Sequence, residues 1–183
     1  FFLTKENDLW LCTEKSGLLS LNDPLGKINK ARGLNMNHVE CAVQLNDLWL
    51  LGTYGGGLNF YSKEKGIETP DLLKEFSSEI ITCLFVSENN EVWIGTINNG
   101  IFVYSADNNL IKNYRSENGL ANNHIKTILS DRWNNIWIGT SGGGVSIFQN
   151  SPFIKYSRET GLTGNYVYAV INDENNNLWL GTE

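Results

Sequence analysis

The sequence predicts an all-β fold, a β-propeller built of four-stranded antiparallel blades, because a tryptophan phrase recurs along the chain at a nearly fixed period. Five of the six tryptophans stand between aliphatic residues, and four of these phrases end in Gly-Thr. A period of this length is typical of one supersecondary unit copied several times, and each copy needs its neighbours to bury its faces. The five tryptophans, separated by 39, 44, 44 and 42 residues, are Trp10, Trp49, Trp93, Trp137 and Trp179.

Four short strands fit within one period, and the fourth copy is the clearest example. Its apolar runs lie at 125–129, 136–140, 145–148 and 153–156, and turns rich in Asn, Asp and Gly separate the first three. β-branched and aromatic residues favour strands, whereas Gly, Asn and Asp favour turns. No stretch has a sustained helical period. Because the phrase occurs five times and the first and last copies are incomplete, we expect about four to five blades, which is a partial propeller.

The repeat also predicts where each blade begins and ends within a single propeller segment, residues 1–183. The chain starts and stops inside a repeat, so we expect it to be a piece of a longer protein. The first strand of each copy is apolar on both faces, which indicates that both faces of each sheet are covered. The blades, of which the first and last are incomplete, are predicted at approximately 1–32, 33–76, 77–116, 117–157 and 158–183.

The repeated phrase itself predicts local structure. We expect each tryptophan to be a structural anchor on the second strand, wedged between neighbouring blades. Gly139 is expected to give room beside that large ring, and the glycines at 55–57 and 142–144 to supply turns with positive φ. The second copy carries one extra residue, Leu50 or Leu51, which we interpret as a β-bulge.

Composition and charge exclude several classes of protein. The net charge is −6 and the pI is near 5.0, and the basic residues are scattered, which argues against a nucleic-acid partner. No apolar run approaches the roughly 20 residues of a membrane span. The three cysteines, Cys12, Cys41 and Cys83, form no CxxC pair, so we interpret them as small buried hydrophobic residues rather than disulfide or metal ligands.

The repeated phrase and the residues before it together resemble the two-component regulator propeller repeat. Asn123 and Asn165 precede the first strand of their copies, and Asp131 and Asp173 follow it. The third copy lacks the opening Gly-Leu pair of the repeat and has Glu88 near the aspartate position. The Gly-Leu pairs are Gly33-Leu34, Gly119-Leu120 and Gly161-Leu162.

The resemblance implies the periplasmic sensor region of a hybrid two-component system histidine kinase of the Bacteroides type, anchored in the inner membrane. Such proteins typically combine two multi-bladed propellers with a β-sandwich, and many detect oligosaccharides. The expected partners are therefore an oligosaccharide or other small polar ligand, the remaining blades and β-sandwich of the same protein, and, as a further option, a second copy in a homodimer. No cofactor or metal is expected.

Ligand-binding candidates lie in the loops before the first strand and between the second and third strands, because antiparallel tracing brings these loops to one edge of each blade. Amide, imidazole and phenol groups suit a neutral polyhydroxylated ligand. Asn123 and Asn165 are interpreted as structural, since asparagine before a strand commonly binds local backbone. The candidates are His38, Tyr54, Asn98, Asn99, His124 and Tyr166.

Catalysis and calcium binding are disfavoured by the sequence. It contains no HExxH, GxSxG or Walker motif, so we predict a segment that is not an enzyme. His124 and Tyr166 are the one pair that would serve a lyase or glycosidase. The stretch Asp173-x-Asn175-x-Asn177 has Leu178 where a calcium loop needs glycine. Two alternatives to a sensor stay open: a structural or dimer-forming propeller, and less favourably a polysaccharide-cleaving one.

Overall fold

The computed structural model describes residues 2–3, 7–22, 26–68, 76–105, 110–149 and 153–183. Within these ranges the regular structure consists of strands and three short 3₁₀ helices, at Lys30–Arg32, Ser116–Asn118 and Arg158–Thr160. None of the described residues belongs to a helix with the length and apolar character that crossing a membrane requires.

The chain divides into two compact units, residues 1–84 and 85–183. The first unit contains two four-stranded antiparallel sheets, in which each strand pairs with the next along the chain. The strands of its first sheet are β1 (Phe2–Leu3), β2 (Leu9–Thr13), β3 (Gly17–Ser20) and β4 (Lys27–Ile28). Those of its second sheet are β5 (Val39–Leu45), β6 (Leu48–Thr53), β7 (Leu58–Ser62) and β8 (Gly66–Glu68).

Three further sheets follow, and the boundary between the units falls inside the first strand of the third sheet. The third and fourth sheets have four strands and the fifth has two. The strands of the third sheet are β9 (Ile81–Val86), β10 (Glu91–Thr96), β11 (Ile101–Ser105) and β12 (Leu110–Tyr114). The others are β13 (Ile125–Ser130), β14 (Ile136–Thr140), β15 (Val145–Phe148), β16 (Phe153–Tyr156), β17 (Val167–Asn172) and β18 (Leu178–Thr182). The predicted all-β fold of four-stranded antiparallel blades is confirmed.

A β-bulge recurs near the start of the first strand of three sheets. In the fourth sheet Ile125 pairs with Thr140 and Thr127 with Gly139, so Lys126 has no partner in the ladder. The second and fifth sheets have the same offset, which leaves Glu40 and Tyr168 unopposed. A bulge bends the strand and redirects the extra side chain. Each of these three sheets therefore has one residue in its first strand that does not follow the alternation of the apolar residues.

The predicted bulge at Leu50 or Leu51 is wrong. The ladder between β6 and β7 runs without a shift, and Leu50 pairs with Val43 just as Trp137 pairs with Leu129 in the fourth sheet. The extra residue therefore lengthens β6, and Trp49 lies one position further from the glycine. Since side chains alternate across a strand, this insertion moves Trp49 to the opposite face of its sheet.

The tryptophans accordingly face different neighbours. Trp49 is only 4% exposed and packs edge-on against Trp10 of the preceding sheet, with ring centroids 4.8 Å apart. Trp93 contacts Phe148 and Trp137 packs beside Val167 and Val170, all in the sheet that follows. Four of the five predicted anchors thus pack in or against the hydrophobic cores between sheets.

Trp179 departs from the anchor prediction, since 59% of its side chain is exposed. Its strand, β18, pairs only with β17, so no third strand or following sheet lies over the ring among the described residues. Its indole N–H nevertheless donates to Asp173 at 2.9 Å, as that of Trp137 does to Asp131. The hydrogen bond is therefore set by the hairpin alone, whereas burial of the ring requires a neighbouring sheet.

The glycine of the phrase makes room for a neighbouring strand rather than for the tryptophan ring, which corrects the prediction for Gly139. A methyl group on Gly139 would lie 2.7 Å from Thr127 Cγ2 and 2.9 Å from Val167 Cγ1 in the next sheet. Gly52 has the same role, because its methyl group would lie 2.6 Å from both Cys41 Sγ and Ile81 Cγ2. Close approach of successive first strands therefore requires glycine here.

The three cysteines, all within the described residues, form no disulfide. Burial raises the pKa of the Cys41 thiol well above its ordinary value, and the neighbouring Cys83 and Cys12 raise it further. A thiol held in this way stays protonated and behaves as a small hydrophobic group.

Asparagines before the first strand hold the preceding 3₁₀ turn. Asn123 Oδ1 accepts a hydrogen bond from the Ser116 backbone N–H at 2.7 Å, and Asn165 Oδ1 accepts one from that of Arg158 at 2.7 Å. Asn37 accepts from Lys30 in the same way. These side chains therefore have the structural role expected from the sequence for Asn123 and Asn165.

Replacing Asn123 with alanine is expected to lower the free energy of unfolding by about 1 kcal/mol, since the Ser116 N–H loses a cap-like partner at a partly solvated site. Urea denaturation of the purified chain would measure it. Asn98, which is exposed in a turn of the same unit, provides the matched alanine control. Equal losses in the two variants would contradict the assigned role.

The turn between the first and second strands is organised by an aspartate in the last two sheets. Asp131 accepts from the backbone N–H groups of Trp133 and Asn135 and from the Asn135 and Trp137 side chains. Burial raises the pKa of Asp131, but these hydrogen bonds outweigh it and hold the pKa below its ordinary value. The third sheet differs, because Ser87, not Glu88, stands at the Asp131 position and its Oγ accepts from the Glu91 N–H.

The pKa of Asp173 is expected to be about 2, because its carboxylate accepts hydrogen bonds from the Trp179 indole, then from the Asn177 side chain and nearby backbone. The folded pKa lies below the unfolded value of about 3.9, so the carboxylate stabilises the fold fully above about pH 4. That contribution is lost as the pH falls towards 2. NMR titration would measure the pKa, and Trp179→Phe should raise it. An unchanged pKa in that variant would contradict the role of the indole.

Candidate functional site

The first unit brings two of the predicted residues into contact. The rings of His38 and Tyr54 stack with centroids 4.9 Å apart and an interplanar angle of 12°. His38 Nε2 lies 3.0 Å from Glu40 Oε1. Tyr54 is exposed, so one aromatic surface and the polar atoms beside it are open to solvent. We call His38, Glu40 and Tyr54 the first cluster.

Backbone hydrogen bonds fix this arrangement. The Tyr54 N–H donates to the His38 carbonyl oxygen at 2.9 Å, and Tyr54 forms a β-bridge with Ile80. Tyr54 directly follows Thr53, whose buried hydroxyl donates to the Gly57 carbonyl oxygen at 2.8 Å and closes the turn. Tyr54 is thus the first residue after β6, at a hairpin end that these hydrogen bonds hold in place.

The second unit repeats this backbone with different side chains. The Ser141 N–H donates to the His124 carbonyl oxygen at 2.9 Å, and Ser141 forms a β-bridge with Tyr166. His124 therefore occupies the place of His38, while Ser141 stands in place of Tyr54. Tyr166 and Tyr168 are both exposed. We call His124, Lys126, Ser141, Tyr166 and Tyr168 the second cluster.

The two histidines have different surroundings. His38 faces a carboxylate, whereas burial, and then the neighbouring Lys126, lower the pKa of His124. A lowered pKa keeps His124 neutral at pH 7, when one ring nitrogen donates and the other accepts hydrogen bonds. The second cluster therefore offers an uncharged imidazole, two phenol rings and a serine hydroxyl beside Lys126, a set of donors and acceptors suited to hydroxyl groups.

Asn98 and Asn99 lie in a turn of the second unit and differ in their bonding. Asn99 Oδ1 accepts from Arg115 Nη1 at 3.2 Å, its backbone N–H donates to Thr96 Oγ1, and its carbonyl oxygen accepts from Asn113. These bonds commit Asn99 to the turn. Asn98 is exposed. Their predicted contact with a ligand stays a prediction, as it does for the other four residues.

Sequence reasoning missed the bulge residues Glu40, Lys126 and Tyr168. Each follows a predicted site residue by two positions and adds a charged or phenolic group to its cluster. The signal was present, because each directly follows the apolar first residue of its strand, Val39, Ile125 or Val167. Pattern analysis that considers only the apolar rows of the strand overlooks a residue that the bulge turns outward.

Two cavities lie at hairpin turns. A cavity of about 310 Å³ in the second unit is lined by the turn residues around Glu88 and Asn134, and one of about 270 Å³ in the first unit by those around Asp47 and Lys63. Neither is lined by any of the six predicted ligand-binding residues. Trp133 lines the cavity of about 310 Å³ and is 65% exposed. The Arg132 guanidinium carbon lies 4.0 Å from the centroid of the Trp133 ring.

No group of three or more His, Cys, Asp or Glu within the described ranges is placed to hold a metal ion. Asp173, in the stretch resembling a calcium loop, instead accepts four hydrogen bonds from Asn175, Asn177 and Trp179. The carboxylate therefore organises its hairpin.

Comparison with known proteins identifies the repeat. The family model described as "Two component regulator propeller" matches residues 119–142 and 161–183. This confirms the resemblance inferred from the Gly-Leu pairs, the aspartates and the tryptophan phrase. No curated protein matches the chain.

Solved structures match nearly the whole chain. Extracellular domains of two hybrid two-component systems from Bacteroides thetaiotaomicron share 25% and 26% identity with it, at TM-scores of 0.81 and 0.79. These matches cover 96% and 98% of this chain and 24% and 25% of theirs, so the chain spans about a quarter of their length. Virginiamycin B lyase from Staphylococcus aureus matches at 14% identity and a TM-score of 0.72. This match covers 98% of this chain and 61% of the lyase chain, and it shows a shared fold alone.

Proposed function

We propose that this chain, which carries two-component regulator propeller repeats, is part of an extracytoplasmic sensor that binds an oligosaccharide and does not transform it. The observation that carries the proposal is that His38 and His124 occupy the same backbone position in the two units and that exposed phenol rings lie in both clusters. Tyr54 stacks on His38, whereas Tyr166 is bridged to Ser141, whose backbone N–H donates to His124. Aromatic faces cover the C–H surface of a sugar, and imidazole, hydroxyl and carboxylate groups exchange hydrogen bonds with its hydroxyls.

The similar proteins support the location proposed for this chain. Those with 25% and 26% identity are extracellular domains of hybrid two-component systems, which supports an extracytoplasmic place for this chain. We further propose that the whole protein is a histidine kinase anchored in the inner membrane, with the remaining blades and a β-sandwich beside this segment. A homodimer would bring two such ectodomains together and transmit the signal.

Calorimetric titration of the intact ectodomain with a panel of neutral glycan fragments tests the proposal. Tyr54→Ala and Tyr166→Ala are each expected to weaken binding about 10-fold, because an aromatic contact contributes about 0.5–1.5 kcal/mol beyond its area. Ile154→Ala, which truncates another exposed apolar side chain, is the control and should bind normally.

The alternative functions predict different results. Heat of binding with no new product over time supports a sensor. Product that accumulates, and is lost in His124→Ala, would establish a polysaccharide-cleaving enzyme instead. Silence across the whole panel, with concentration-dependent dimerisation of the ectodomain, would support a structural propeller and contradict the proposal.

A further inference from the structure

The cavity of about 310 Å³ in the second unit lies at a place where the repeat has lost one hydrogen-bonding group. It is bounded by the turn after β9 and by the turn after β13, and its walls include Ser87, Glu88, Glu91, Trp93, Trp133 and Asn134. A volume near 300 Å³ is at the lower end for small-molecule sites and suits one small ligand or the end of a longer one.

The buried indole of Trp93 forms part of the cavity wall. Trp93 is 2% exposed, and its N–H has no hydrogen-bond partner among the residues that the structure describes. At the equivalent positions Trp137 and Trp179 donate to Asp131 and Asp173, each at 2.9 Å. A buried donor without a partner is uncommon in folded proteins and calls for an explanation.

The explanation is the replacement of that aspartate by Ser87. Ser87 Oγ accepts from the Glu91 N–H at 3.2 Å, just as Asp131 Oδ1 accepts from the Asn135 N–H at 3.0 Å. Serine has no second oxygen, and it is this second carboxylate oxygen that accepts from the tryptophan in the fourth and fifth sheets. The substitution thus keeps the turn and leaves an unpaired, buried donor on a residue that lines the cavity.

The wall chemistry selects the class of ligand. Glu88 and Glu91 contribute carboxylates, and no Lys or Arg is among the lining residues, so an anion would be repelled. The carboxylates require hydrogen-bond donors from the ligand, whereas the Trp93 N–H requires an acceptor. A hydroxyl group meets both requirements, and a simple ammonium group lacks the acceptor.

Trp133 supplies the remaining element, an exposed aromatic surface at the cavity. Its backbone N–H donates to Asp131 Oδ1 at 2.9 Å, and the neighbouring Asn134 side chain donates to Glu88. The turn that carries the ring is therefore held in place before any ligand arrives. The Arg132 guanidinium covers one face of the Trp133 ring, with its carbon 4.0 Å from the ring centroid. The other face of this held ring can pack against the C–H face of a sugar without ordering a loop.

We propose that this groove binds one neutral sugar residue. An oxygen of the sugar accepts from Trp93, its hydroxyls donate to Glu88 and Glu91, and its ring packs on Trp133. The inference rests on the proposed function for the biological role of the ligand, but it concerns residues that neither the first nor the second cluster contains.

NMR titration of the 183-residue chain tests this proposal, with the indole N–H signal of Trp93 assigned through Trp93→Phe. The probes are neutral hexoses, pentoses and their disaccharides at millimolar concentration. We expect the Trp93 signal to shift with at least one sugar, and Trp133→Ala to weaken that binding about 10-fold. Ser87→Asp should restore the aspartate of the other sheets, raise the unfolding midpoint and abolish the sugar-dependent shift.

Two results would overturn the proposal: no sugar in the panel shifts the Trp93 signal, or Ser87→Asp binds the sugar as tightly as the unaltered chain. A shift caused by putrescine and by no sugar would also overturn it, because it would assign the groove to cations. Tyr166→Ala separates this site from the proposed function, since loss of the Trp93 shift in that variant would place the ligand in the second cluster instead.

Discussion

Replacing Trp49 with alanine is expected to lower the free energy of unfolding of the first unit by about 3–5 kcal/mol, the range for truncating a buried tryptophan. The ring is 4% exposed and packs in one cluster with Leu18, Ile28 and Leu51, edge-on to Trp10. Its removal opens a cavity between two sheets that cannot close by moving one side chain.

Urea denaturation followed by circular dichroism would measure the loss. Trp133→Ala is the matched control, because that ring is 65% exposed and its removal should change the free energy of unfolding by no more than about 0.5 kcal/mol. If Trp49→Ala were as stable as Trp133→Ala, the packing of the first two sheets through this ring would be refuted.

Replacing Gly57 with alanine is expected to cost about 2–5 kcal/mol, for two reasons that add. Gly57 has φ of 66°, where an L-residue is strained by roughly 1–2 kcal/mol. A methyl group there would also lie 1.9 Å from the Phe76 carbonyl oxygen, a backbone atom that moves only with its chain, and overpacking of this kind costs about 1–3 kcal/mol.

Gly55 offers a control within the same turn. Its φ is 88°, yet a methyl group on it would meet nothing within 4 Å, so Gly55→Ala should cost only the backbone strain. Thermal unfolding of the two variants side by side separates the two terms. Equal losses would mean that the close approach to Phe76 is relieved at no cost. The same crowding recurs at Gly144, whose methyl group would lie 2.1 Å from the Tyr156 carbonyl oxygen.

The candidate clusters could be predicted only in part. The sequence placed His38 and His124 at equivalent positions, because each directly precedes the first residue of an apolar first strand, Val39 or Ile125. It did not reveal that His38 stacks on Tyr54 or that Glu40 lies against it, because both contacts depend on how the bulge turns the strand. A bulge changes side-chain direction without changing the apolar rows from which strands are recognised.

By itself the sequence determined the unit of the fold: a tryptophan phrase at a period near 42, strands of β-branched residues, and glycine turns whose positive φ the structure confirms at Gly55, Gly57, Gly142 and Gly144. These are local properties, since strand propensity and turn conformation depend on residues close together in the chain. Only the tertiary structure decided that the extra residue in the second copy moves Trp49 to the other face, and that Trp93 has a donor without its aspartate. The packing of Trp49 depends on a neighbouring sheet, because its partner Trp10 belongs to the preceding copy. The partner that Trp93 lacks would stand only six residues away, at Ser87, but the unpaired donor becomes visible only when the side chains are placed.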